Sequence, residues 1–469
     1  MVRGGSQLPL ASKHYLPLSI RLTRPPHPQM LPRHSFFWVF AWFAAHGRFS
    51  SVFLLSQGIH EDDIGYMFAI ASLLSVPASS IFAYIGDAMV QRGHVFGREL
   101  VVAMLVLLTT LFFILQLLPS MIELTPASSL MLFYSIRILY GIFRAPITQI
   151  LDSIAVQHVA VLGKESDISY GSERAWGAVS WAVVSIMVGV CIDLTSISVM
   201  YILTFVMAVP ILISLALSSR DRLKLTRVTD TTPYQPVKRE EDNENGMTDV
   251  DSSSRAEVLA DAKESLVQKL PMLVSNYFNS IPKVSFLICI IILNAGMSIV
   301  ENLLFIFFTQ TLHASSVLCG LTVVVTVIFE IPFFQYSHVL QQHLGRSGLM
   351  TVAMIAYGTR VIGYTLVPNG WWVLLLEPLH GVTYSCAQLA AVDFASEFCP
   401  TGLEASSQTL IGTLRYGVGY VIGNAIAGYV EERFGADTLY RGAGMTVLLC
   451  LLGYRTALFL SSPPSQEPR

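Results

Sequence analysis

The sequence is poor in charge. Of its 469 residues only 13% are Asp, Glu, Lys or Arg, against roughly 25% in a soluble globular domain. Hydrophobic residues make up 53%, and mean hydropathy is +0.57. That balance excludes a soluble enzyme, a disordered chain and a nucleic-acid binder. Net charge is −3, so no basic surface asks for a polyanionic partner. No C-x-x-C pair links Cys191, Cys289, Cys319, Cys386, Cys399 and Cys450. They read as small apolar residues, and neither a metal nor a cofactor is expected. No G-x-x-x-x-G-K-[ST], H-E-x-x-H or G-x-S-x-G string occurs, which argues against ATP drive and against an enzyme. No N-x-[ST] sequon marks an outer loop, and no acid precedes Glu61. An acid-free basic N-terminus is either an ordinary inner tail or an organelle transit signal.

Long apolar runs fill the space that charge leaves. Spans are predicted near 34–56, 64–86, 100–118, 129–150, 171–190, 195–217, 284–309, 315–336, 348–367, 371–391, 407–430 and 437–460. Each is long enough to cross ~30 Å of hydrocarbon as a helix. A membrane barrel needs ~10-residue alternating segments instead. The expected fold is an all-α polytopic membrane protein, with 12 transmembrane helices in two six-helix pseudo-symmetric bundles. Lys and Arg placement sets the orientation. With the N-terminus cytoplasmic, inner segments hold Arg3, Lys13, Arg21, Arg24, Arg33, Arg92, Arg98, Lys164, Arg346, Arg469 and the bases of the central loop. The outer loops hold Arg433 alone. Both termini are therefore expected inside, in a plasma or organelle membrane that the sequence does not distinguish.

The domains follow: a cytoplasmic tail 1–33, a bundle 34–217, a cytoplasmic linker 218–283, a second bundle 284–460 and a tail 461–469. The linker is polar and includes PVKREEDNENGMTDVDSSSR, a solvated composition. The two bundles repeat. Gly141 and Gly381 lie 240 residues apart, and the same offset sets Arg137 on Glu377 and Tyr140 on His380. Gly177 meets Gly417 at 240, and Arg174 meets Arg415 at 241. An offset of 253 brings Gln57 onto Gln310 and Arg48 onto Glu301. Repeated-bundle transporters hold their substrate at the repeat interface near the midplane.

Several strings are more specific. YGSERAWGAVSW runs from Tyr170 to Trp181, EIPFF from Glu330 to Phe334 and LGRSGL from Leu344 to Leu349. Arg360, Tyr364, Pro368, Trp372 and Leu374 lead into Leu379, His380 and Gly381. These resemble the MFS-associated-domain branch of the major facilitator superfamily, over roughly 34–460 without the central loop. That branch includes relatives of nucleoside–proton and sugar–proton symporters. The resemblance implies that spans 1, 4, 7 and 10 line a central cavity. The loop between spans two and three, AYIGDAMVQRGHVFGRE, keeps Asp87, Gly93 and Arg98 of the superfamily's usual string with altered spacing. A gating role for Asp87 and Arg98 is what the resemblance implies.

Charges inside spans are costly and are usually functional or paired. They sort by half. Arg48, Arg137 and Arg144 fall in the first, and Glu301, Glu377 and His380 in the second. Most lie in one layer, so opposite charges are expected to face each other across the pathway, Arg48 towards Glu301 among them. Glu377 and His380 stand at i, i+3 on one helix face. A carboxylate, a histidine and a neighbouring arginine suffice for proton coupling, and sugar–proton symporters of the superfamily use an acid and a histidine on the tenth span. These six residues are the candidate substrate and proton pathway. Asp87, Arg98, Glu330, Arg360 and Arg174 are the candidate gating or structural set. Glu330 and Arg360 are expected to brace spans eight and nine. Arg174 is expected at the inner membrane edge, on lipid headgroups or bracing span five. Gly417, Gly419, Gly423 and Gly428 permit close helix approach. Pro77 and Pro332 are candidate kinks, and Trp371, Trp372 and Tyr364 read as an interface belt.

The function expected is secondary active transport of a small polar solute (a nucleoside, a sugar or a relative) by alternating access with proton coupling. The alternative is a non-transporting receptor or scaffold of the same fold, with partners on the linker. Partners are then the solute, protons and the lipid bilayer, with no nucleic acid. The oligomeric state is left open, and a monomer is compatible with it.

Overall fold

The computed structural model describes residues 32–94, 96–162, 170–230, 271–399 and 404–461. The tail 1–31, most of the linker and 462–469 lie outside the described residues. We number the helices in chain order. The first half holds α1 (Pro32–His46), α2 (Phe49–Ser56), α3 (Glu61–Gln91), α4 (Gly97–Ile114), α5 (Pro126–Leu162), α6 (Tyr170–Leu194) and α7 (Val199–Asp230). The second holds α8 (Ile281–Gln310), α9 (Ser316–Gln335), α10 (Ser337–Tyr364), α11 (Pro378–Glu397), α12 (Glu404–Gly412), α13 (Tyr420–Phe434) and α14 (Ala436–Ser461). A π-helical segment, Thr413–Gly419, joins α12 to α13. Among the described residues there is no strand.

Eight of these helices are long and apolar enough to cross a membrane: α3, α4, α5, α6, α7, α8, α9 and α14. The other four expected spans differ from continuous apolar rods. The first is broken between α1 and α2 at Gly47 and Arg48. No proline lies there. A Cβ on Gly47 would stand 2.8 Å from the Phe43 carbonyl oxygen and 3.2 Å from the Trp181 ring, so glycine admits the close approach of α6 at the break. The ninth, 348–367, runs unbroken in α10 to Tyr364 but carries the buried Arg360, and α10 is kinked just before it, at Gly345 with φ 59° and ψ 177°. An L side chain is strained there, and the LGRSGL string owes its kink to that glycine. The tenth begins as a 3₁₀ turn, Gly370–Leu375, and becomes α-helical only at Pro378. The eleventh is interrupted by the π segment.

The two halves pack alike. α3 and α4 lie against α5, and α1 against α6 and α7; likewise α9 and α10 lie against α11, and α8 against α13 and α14. The halves then meet through two related pairs, α3 with α13 and α6 with α9. We call the face where α1 begins the terminal face and the opposite one the distal face.

The halves close on the distal side. Cβ atoms built on Gly65 and Gly428 would each fall within 3.0 Å of the other helix's backbone. Gly189 and Gly320 do the same for α6 and α9, against Ser316 and Ser185. The Asp193 carboxylate accepts the amides of Ser316 and Val317 at 2.9 Å each, capping α9 from the other half. At the terminal face every ion pair among the described residues stays inside one half. Arg98 Nε donates to Asp87 Oδ1 at 2.6 Å, and Arg174 Nε lies 3.4 Å from Asp152 Oδ1. Arg346 reaches Glu397 at 2.5 Å and Asp393 at 3.7 Å.

Candidate functional site

The break between α1 and α2 aims Arg48 at the second half. Its guanidinium carbon lies 5.7 Å from the centroid of the Phe305 ring on α8, and its charge acts on Glu330 and His380. Phe49 packs on the same Phe305 ring at 4.9 Å. Among the described residues no ion pair joins Arg48 to Glu301. Glu301 lies beside the Tyr420 hydroxyl. Glu330, partly exposed on α9, makes no ion pair among the described residues and faces the charges of Arg174 and Arg48 from the other half. Its expected partner Arg360 is elsewhere.

Arg137 is turned into its own half. Only 5% exposed, it donates through Nη1 to Ser50 Oγ at 2.7 Å. Its guanidinium carbon lies 4.4 Å from the Phe68 centroid and 4.5 Å from that of Tyr140. Stacking on ring faces suits a guanidinium removed from water. Through Ser50, Arg137 also ties α5 to the start of α2, just after the break. Arg144 lies 4.6 Å from the Phe43 centroid. Between the two arginines sits His46, a residue the sequence did not single out. It is fully buried among Trp42, Phe43, Phe113 and Tyr140, and neither ring nitrogen has a hydrogen-bond partner.

The second half encloses a matching interior group. Glu377 precedes α11 as its N-cap and is 1% exposed. Tyr364 donates to its Oε1 at 2.5 Å and Thr326 to its Oε2 at 2.9 Å. The carboxylate therefore braces α9, α10 and α11, and it does not project between the halves. Tyr364 is accordingly buried and not part of an interface belt, whereas Trp371 and Trp372 are exposed. Arg360 is 0% exposed, and none of its three nitrogens has a hydrogen-bond partner. It lies 5.8 Å from the Tyr357 and Tyr364 centroids. His380 is buried with Nδ1 unpartnered, under the charges of Arg360 and Arg48. Arg360 and the Glu377 carboxylate thus stand on either side of Tyr364, which donates to the acid and offers its ring to the cation.

A polar strip runs between α8, α11 and the α12–α13 rod. Arg415 Nε donates to Asn294 Oδ1 at 3.3 Å, and its Nη1 donates to Gln388 Oε1. Asn302 donates to Asn424 at 2.8 Å. Tyr384, Tyr416 and Glu330 form one electrostatic neighbourhood with Arg415 and Arg174. Arg415 and Tyr416 belong to the π segment, and such one-turn irregularities are frequent at functional sites. Amides, phenols and both signs of charge along this strip of the second bundle are groups that can hydrogen-bond a polar, uncharged solute.

The model of the family described as "MFS_1 like family" matches residues 33–442. A mouse protein, "Major facilitator superfamily domain-containing protein 6-like", is 29% identical over 168 residues. That match covers 35% of this chain and 28% of the relative, so the chain spans well under two thirds of that protein. Maltose permease of Geobacillus stearothermophilus is 21% identical over 314 residues, covering 67% of this chain and 68% of the permease. Among solved structures, nucleoside transporter NupG superposes with a TM-score of 0.62 at 13% identity, over 91% of this chain and 98% of that one. At that identity the likeness is one of fold.

Proposed function

Because the chain belongs to the MFS_1 like family, we propose that this integral, multi-pass membrane protein is a secondary active transporter of a small polar solute. Nucleosides and sugars are the first classes to try, and the coupling ion is the proton. The reading includes all twelve spans, with both termini cytoplasmic as the placement of basic residues predicts. The observation that carries it is the contrast between the two faces. The halves are sealed on the distal side by glycine contacts, whereas on the terminal side every ion pair among the described residues stays within one half. With the termini inside, this is the inward-open state of an alternating-access cycle.

Glu330 takes the coupling role in this reading. It makes no ion pair among the described residues, and the charges of Arg174 and Arg48 from the opposite half bear on it. Glu377 and His380 act from inside the second bundle, on how α11 sits against α9 and α10. Arg48 and Glu301 stay on the solute path, with Arg415, Asn294 and Gln388 as hydrogen-bonding groups. Arg137 and Arg144 hold the broken first span in place.

The test is uptake of labelled nucleosides and sugars into proteoliposomes under an imposed pH gradient. Ligands are first screened by thermal stabilisation of the purified protein, since a ligand that binds only the folded state raises its melting temperature. The expected result is a stabilising solute whose uptake follows the gradient. Glu330→Gln is expected to lose gradient-driven accumulation while keeping exchange of solute for solute. Gradient-driven accumulation left intact in Glu330→Gln removes Glu330 from coupling. A stabilising solute that never crosses the membrane overturns transport itself.

A further inference from the structure

The closed face carries a cluster that solute transport does not use. His60 immediately precedes α3, Glu61 is the first residue of that helix, and Glu432 lies near the end of α13 in the other half. His60 Nδ1 and Glu432 Oε1 stand 3.1 Å apart, and the Glu61 amide donates to Glu432 Oε2 at 3.3 Å. One ligand atom from each of the three residues lies within 4.8 Å of the others. The Glu61 and Glu432 carboxylates are among these atoms. Carboxylates that close repel, and a proton or a cation between them relieves the repulsion.

Two further observations favour a cation. Glu431, the residue before Glu432, is 8% exposed, and its Oε2 has no hydrogen-bond partner. The two charges that bear on it are those of Glu61 and Glu432. The neighbouring base does not answer them. The Arg433 guanidinium lies over the Tyr429 ring, 4.6 Å from its centroid, and among the described residues it makes no ion pair. Two carboxylates and one imidazole are thus gathered, with the buried Glu431 next in the chain, and among the described residues no lysine or arginine pairs with them.

Imidazole nitrogen with carboxylate oxygen is a donor set for zinc-class ions. Metal–ligand bonds of about 2.0–2.1 Å at a tetrahedral angle put neighbouring ligand atoms about 3.3 Å apart, close to the observed His60–Glu432 separation. We propose that His60, Glu61 and Glu432 form a divalent transition-metal site, with Glu431 as its inner supporting acid, that clasps the two halves on the distal face. The ligands come from both sides of the α3–α13 contact, so the complete site exists only while that face is closed. Metal binding therefore favours the closed distal face, and the sequence offers no spacing cue, since 372 residues separate His60 from Glu432.

The experiment uses the full chain, without a polyhistidine tag, in lipid nanodiscs. Zn2+ is titrated by calorimetry and by thermal unfolding, with Mg2+ as control. Expected is one Zn2+ per chain, a melting temperature that rises with Zn2+, and no response to Mg2+. His60→Ala and Glu432→Gln are each expected to weaken Zn2+ binding at least about tenfold while leaving the metal-free melting temperature near that of the parent, because His60 is largely exposed. If one variant folds poorly, the other carries the test. An unchanged Zn2+ affinity in the folded variants overturns the site, as does an equal response to Mg2+. So does no response to Zn2+ at all, which leaves the shared proton as the account of the cluster. No solute enters these measurements, so they stand or fall independently of transport.

Discussion

On the distal face, α3 meets α13 with Gly65 against Gly428, and α6 meets α9 with Gly189 and Gly320 against backbone. On the terminal face, Arg98 turns to Asp87, Arg174 to Asp152 and Arg346 to Glu397, each within its own half. The first set holds the halves to each other, and the second holds each half to itself. The difference is one of range. Backbone contact through glycine is won or lost within an ångström. An ion pair between helices of one bundle survives when that bundle moves as a body. The contacts between the halves are thus backbone contacts along one seam, and the ion pairs lie within the bundles.

The strongest way to break this contrast is to put a side chain into the seam. A Cβ at position 428 would fall 2.4 Å from the Glu61 carbonyl oxygen, so Gly428→Leu forces the backbones apart. Overpacking of this kind costs roughly 1–3 kcal/mol, enough to move a two-state equilibrium roughly 5- to 150-fold. Spin-label distances across the distal face are expected to lengthen, with bundle helicity unchanged. Unaltered distances mean that the seam is not what sets the closed state.

A smaller effect is expected at Asp193. Its carboxylate supplies two hydrogen bonds to the start of α9 from the opposite half. Asp193→Ala removes a cap, typically about 1 kcal/mol. The same distance measurement is expected to show a partial opening, smaller than for Gly428→Leu. Equal effects from the two substitutions make the glycine contact no more than another hydrogen-bond-sized interaction.

Much of this architecture is legible in the sequence, for a physical reason. Apolar runs are set by the membrane and do not depend on tertiary partners, so eight of the twelve expected spans coincide with apolar helices of membrane-crossing length. What escapes is whatever depends on partners distant in the chain. Arg137 and Glu377 match across the repeat, and in one charged layer they look set to meet. Arg137 instead finds Ser50, 87 residues away, and Glu377 finds Thr326, 51 residues away, each inside its own half. The break at Gly47–Arg48 carries no proline, and glycine is ordinary in a membrane helix, so it too is silent. His46 has no motif; its place among four rings and two arginines appears only in three dimensions. Gly428 was readable as a packing glycine, but not the helix it packs against.

On the terminal face the comparison sharpens through Arg98→Ala. Asp87 is half exposed and its pair with Arg98 joins α3 to α4 of one bundle. Such a pair contributes at most about 1 kcal/mol. Its loss is expected to lower thermal stability slightly and to leave the distal distance distribution as it was. A distribution that shifts towards an open distal face gives this pair a part in the seam, contrary to a contact confined to one half.

The smallest effect concerns the two charges nearest the boundary between the halves. In this state Arg48 lies by the Phe305 ring and Glu301 by Tyr420, with no ion pair between them. A double-mutant cycle of Arg48→Gln and Glu301→Gln on thermal stability is therefore expected to be close to additive. An interaction energy below about 0.5 kcal/mol is the usual limit for sites that do not touch. The cycle is informative because both residues belong to elements that move with different bundles. Strong coupling, of 1 kcal/mol or more by the same standard, requires the charges to meet in a state other than this one, with α2 and α8 brought closer than the Phe49–Phe305 contact now allows. Repeating the cycle in Gly428→Leu, where the seam is forced open, separates the cases. Coupling that appears only there assigns the pair to the open-seam state, and additivity in both backgrounds keeps Arg48 and Glu301 as independent groups on the two sides of the gap.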